Sequence, residues 1–111
     1  MNADDFVAQW HAEKERLLAA AWVPGTETAA GIASMDLSPE QTRHLREVLA
    51  VFATDVMYTL LLGLDGSAAL GSDQRRYTLL DEDGTVIAEE GELEAAAYAW
   101  LHEGRSSRPG R

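Results

Sequence analysis

A small α+β domain with elements in the order α-α-β-β-α is the fold this sequence predicts. Apolar residues recur at helical spacing in three separate stretches, and an Asp-Gly pair sits between two short β-prone runs. With 111 residues, 46% of them apolar, the chain has enough material for one core without metal or disulfide staples. The expected organisation is a single domain over residues 1–104 followed by a disordered basic tail, 105–111.

The first helix is expected over residues 3–22. Phe6, Trp10, Leu17, Leu18 and Ala21 mark its inner face, and "HAEKER" supplies the wet one. Asp4 and Asp5 lie where the positive end of the helix dipole favours acids, and Pro24-Gly25 ends the element. The segment "GTETAAGIASMD" is small, polar and weakly patterned, and it reads as a loop crossing the domain.

The second helix opens on the clearest local signal in the chain. In "SPEQ", Ser38 is the N-cap, Pro39 the first helical residue and Gln41 the third, which makes a capping box. Leu45, Val48, Leu49, Phe52, Val56 and Leu60 carry the helix to about residue 62. Its second half is apolar nearly all round, so the 39–62 helix is expected to be the buried centre of the fold, or to be enclosed by a partner subunit. A homodimer across that half is one expectation.

"RYTLLDEDGTVIAEE" predicts a hairpin of Tyr77–Leu80 with Thr85–Ala88, turning at Asp83-Gly84. A lone hairpin is marginal and must pack on helices. "ELEAAAYAWLHE" predicts the last helix, with Leu93, Ala97, Trp100 and Leu101 inward and Gly104 as its stop.

Composition narrows the function. The formal charge is −10, and all 19 acids lie within residues 1–104. From Asp81 to Glu103 there are eight acids and no Lys or Arg. Such a body repels nucleic acid and anionic membrane and is steered towards a basic protein partner. There is no cysteine, which removes disulfides, thiolate metal sites and cysteine nucleophiles together. The start "MNADDFVAQW" has no basic or apolar signal region, and the longest apolar run is broken by Asp55. No membrane span and a cytoplasmic location are expected.

The chemical motifs are few. "GLDGSAALG" follows a helix rather than a strand and matches neither glycine-rich phosphate loop. His11, His44 and His102 fall one per helix; Glu40, His44 and Glu47 share a face, but no E-x-x-H or H-E-x-x-H pair occurs. "DEDG" lacks the alternating acids of a calcium loop, and no G-x-S-x-G elbow is present. No catalytic residue, metal or cofactor is therefore assigned.

Asp55 is the one charged residue between Val48 and Leu64. A buried carboxylate must be hydrogen-bonded, paired or protonated. The expectation is a structural lock with Arg75 or Arg76 and the N–H groups of the glycine-rich connector. The alternative is a small-ligand or metal-sensing pocket lined by Asp55, Tyr58, Arg75 and Arg76. The main reading is a non-catalytic acidic interaction module, of the kind an immunity or antitoxin-type inhibitor would be. Its partner-binding residues are Trp22, Glu82, Asp83, Glu89, Glu90, Glu92 and Tyr98, an aromatic-plus-carboxylate patch suited to a basic surface.

Overall fold

The computed structural model describes residues 1–103; the expected stop at Gly104 and the 105–111 tail lie outside them. The elements are α1 (Ala3–Ala20), α2 (Glu27–Ser34), α3 (Pro39–Asp65), β1 (Leu79–Leu80), β2 (Val86–Ala88) and α4 (Glu92–Leu101). The α+β class holds, with one helix more than the sequence suggests.

That extra helix is α2, in the segment read as a loop. Thr26 starts it: the Ala29 N–H donates to Thr26 Oγ1 at 3.0 Å, and Glu27 sits in the first turn. Its only buried residue is Ala29, so small side chains rather than a bold apolar stripe hold it. That is why the helical period was faint in the sequence.

α1 begins with a capping box between Asn2 and Asp5. Its buried residues are Ala3, Val7 and Lys14, while Leu17 is 49% exposed. The inner face is therefore turned by about one residue from the expected 6-10-17 line, leaving Phe6 and Trp10 half-buried on its flank. Lys14, part of the "HAEKER" stretch expected on the wet face, is buried instead. Its alkyl stem fills the seam, and Nζ donates to Thr54 Oγ1 on α3 at 3.2 Å.

The hairpin is an antiparallel pair joined by a tight turn. Asp81 Oδ1 accepts from the N–H groups of Asp83 and Thr85, and Gly84 takes φ 82°, which suits the third residue of a three-residue loop. The register slips between Leu79↔Ala88 and Leu80↔Val86. This bulge lets consecutive residues Ile87 and Ala88 both face inward, against the usual alternation. The pair then has an anchor on the helices that two strands alone would lack.

The core gathers at one end of the molecule. Ala3 and Val7 of α1, Leu61 of α3, Ile87 and Ala88 of β2, and Leu93, Ala96, Ala97 and Leu101 of α4 form one cluster. Val7 and Leu61 are its fully buried large side chains.

The expected burial of the 39–62 helix is corrected by this arrangement. α3 has 27 residues and is about 40 Å long, whereas the ten residues of α4 reach about 15 Å. Only Leu61, Gly63 and Asp65 of α3 are buried. Val48, Val51 and Phe52 are 61%, 62% and 65% exposed, because α1 and α4 both lie on the opposite side. By length and composition α3 is also the one helix, among the described residues, able to cross a membrane.

Candidate functional site

The hairpin turn and the first turn of α4 bring most of the predicted partner-binding acids to the surface. Glu82 and Asp83 sit at the hairpin tip, and Glu89, Glu90 and Glu92 follow between β2 and α4; all five are exposed. Two have local roles. Glu90 Oε1 pairs with Arg76 at 2.6 Å, and Glu92 Oε1 accepts from the Glu89 N–H at 2.7 Å, tightening the approach to the helix. Among the described residues Arg76 is the one cation paired with an acid of this strip.

Negative charge continues beyond the strip. Glu92 borders a shallow cleft with Asn2 and Asp4 at the start of α1, and Glu94 adds an exposed carboxylate in the first turn of α4. Asp4 Oδ1 accepts from Trp100 Nε1 at 3.0 Å, tying the start of α1 to the last turn of α4.

The two predicted aromatic anchors part company. Tyr98 is 52% exposed on the back of α4, its ring 5.7 Å from that of His102. Trp22 lies past the other end of α1, about 27 Å along the chain axis from Asp4. There the Arg46 guanidinium covers its ring at 4.0 Å, beside Ala29 and Ile32 of α2. The expected single patch thus keeps Tyr98 near α4's acids and loses Trp22 to a structural stack.

The four residues of the alternative pocket do not converge. Asp55 is exposed on open surface beside Glu47, Val48, Val51 and Phe52. Arg75 pairs with Asp73, and Arg76 with Glu90. Tyr58 packs edge-on against His102 at 4.4 Å. The expected lock between Asp55 and an arginine is absent, for a helical reason. The inner line of α3 runs through Thr54, Leu61 and Asp65, and Asp55 is one residue, about 100°, away from it.

The buried carboxylate is instead Asp65, which in the sequence falls in the glycine-rich connector after the 39–62 helix. It is 7% exposed, and its Oδ1 accepts from the Leu93 N–H at 3.0 Å while Oδ2 accepts from the Ser67 hydroxyl. α4 starts at Gly91, which has φ 83° and no side chain to cap the helix. Asp65 therefore caps α4 from another element. The signal that would have found it is the pairing of a capless helix start with an acid at a helix end.

Asp65 also borders a cleft of about 320 Å³ with Arg76, Tyr77, Leu79, Glu89 and Glu90. Within it the Asp65 oxygens already accept from Leu93 and Ser67, and Arg76 pairs with Glu90. His11 is a half-buried polar group whose surroundings the sequence does not reveal. Its Nε2 lies 3.4 Å from Glu15 Oε1, its ring 5.8 Å from Trp100, and Nδ1 is buried with no hydrogen-bond partner among the described residues. Burial first, then the nearby Lys14 charge, holds its pKa below the ordinary 6.5, with Glu15 acting in the opposite direction. No group of three His, Asp or Glu side chains among the described residues is placed to hold a metal ion.

Comparison with protein-family models, with curated proteins and with solved structures returns no match, so the chemistry of the chain is argued from its own residues.

Proposed function

We propose that the protein is a non-catalytic acidic interaction module that docks on a basic surface of another protein. The observation that carries this reading is the strip of exposed carboxylates at Glu82, Asp83, Glu89, Glu90 and Glu92, with Glu94 beside it and Arg76 as its paired cation. A strip carrying an excess of one sign raises the local concentration of an oppositely charged partner and speeds its encounter. Tyr98 supplies an exposed aromatic on the same helix, the residue type that most often anchors such contacts.

The finer proposal is an inhibitor of the immunity or antitoxin type, working in the cytoplasm by masking a cationic working surface. Small size, the acidic strip and the lack of a catalytic constellation in the sequence support it. The test is capture from cell extract on immobilised protein at low ionic strength, with identification of what is retained. A cationic protein should be held by wild type and released by salt, and reversal of Glu89, Glu90 and Glu92 to lysine should abolish capture. Retention of no basic protein, or retention indifferent to salt and to the reversal, sinks the proposal.

A further inference from the structure

We propose that the outward face of α3 is the interface of a homodimer, in which two copies of α3 pack antiparallel across a two-fold axis near Leu49 and Ala50. This goes beyond the acidic strip and does not depend on it. The apolar centre of that face is Val48, Val51 and Phe52, each more than 60% exposed. α1 and α4 pack on the other side of the helix, so nothing within the described chain covers it.

What identifies a second copy as the occupant is the order of polar residues around that centre. His44 and Asp55 are eleven residues apart, which on an α-helix is three turns and about 20° of rotation. Both are exposed on the same face as Val48, and neither makes an ion pair or a hydrogen bond within the described residues. Their midpoint falls between Leu49 and Ala50, which is also the midpoint of Val48 and Val51.

A two-fold axis relating antiparallel helices reverses height along the helix and keeps lateral position. It therefore brings His44 of each copy to Asp55 of the other, and Val48 to Val51, with Phe52 beside them. An isologous contact needs a self-complementary patch, apolar in the middle and polar at the rim, and this face has that order in both directions.

The same helix could meet a bilayer instead. That would put Asp55 near the middle of its apolar stretch, at a cost of about 2.5–3.5 kcal/mol with no cation to offset it. A second copy supplies the partner through His44.

The test is sedimentation equilibrium of the full chain across the micromolar range, with circular dichroism melting of every variant. Wild type should show a reversible monomer–dimer equilibrium. Phe52→Glu should weaken it at least about 30-fold, as truncating a central anchor does. His44→Asp and Asp55→Arg should each weaken it about tenfold, while the double swap returns affinity to within about threefold of wild type. Recovery by the swap cannot come from a general loss of folding. As a second measurement, mixed Val48→Cys and Val51→Cys chains should cross-link on oxidation, the protein having no cysteine of its own. A monomer throughout, a dimer indifferent to these positions, singles without rescue, or co-sedimentation with phosphatidylcholine–phosphatidylglycerol vesicles overturns the proposal.

Discussion

Asp65 does for α4 what a serine or aspartate at position 91 would do in most helices. Gly91 cannot cap, and the free Leu93 N–H finds its acceptor on the last residue of α3. Removing that acceptor leaves a buried donor unsatisfied, so Asp65→Ala should cost about 1–3 kcal/mol in urea unfolding. Asp65→Asn keeps an oxygen and should cost less. Asp55→Asn, on open surface, should stay within about 0.5 kcal/mol of wild type in the monomer. His11 gives a separate handle. Its folded pKa is lowered, so the unfolded chain takes the proton more readily, and this group's contribution is whole above pH 6.5. It falls away as pH drops through 6.5 towards the folded value. His11→Gln should therefore flatten part of the acid side of a stability–pH curve measured by urea titration; an unchanged slope contradicts the burial argument.

At the scale of elements, local signals were legible and facing was not. Ser38-Pro39-Glu40-Gln41 announces the start of α3, and the observed box pairs Ser38 with Gln41 in both directions. Asp83-Gly84 likewise announces the hairpin turn. Such signals concern neighbours in sequence, so they survive without knowledge of packing. Which side of α3 is buried depends on how far α4 reaches, and no spacing within residues 39–65 encodes that. Lys14 misled for a related reason: a charged residue marks a wet face only when its head, not its stem, sets its position. α2 escaped because alanines make a face with little contrast. The end of α3 offers a test at this scale. Gly66 has φ 84°, and a Cβ there would lie 3.1 Å from the Arg75 carbonyl oxygen. Gly66→Ala should lose about 1–3 kcal/mol, read as a lower midpoint in thermal or urea unfolding. A neutral result would mean that the connector after α3 is not fixed as described.

For the whole molecule, the core lies at one end and two unlike surfaces remain open. The acidic strip runs from the hairpin tip to the start of α4, and the apolar face lies along the middle of α3. The strip was legible in the sequence because its acids fall within one stretch, Asp81 to Glu103, that contains no Lys or Arg. The expected site around Asp55 was not, since it required a helix facing and a long-range pairing to be right together. Because the two surfaces are distinct, dimerisation through α3 leaves the acids of each copy exposed. Phe52→Glu should therefore produce monomers that still capture a basic partner, with at most the loss expected from reduced avidity. The central claim concerns the strip, and the salt dependence of partner capture tests it most directly. Wild-type protein should retain a cationic protein at low ionic strength and release it as salt rises, and the Glu89→Lys, Glu90→Lys, Glu92→Lys triple variant should retain none. Equal capture by the two proteins at every salt concentration would contradict it.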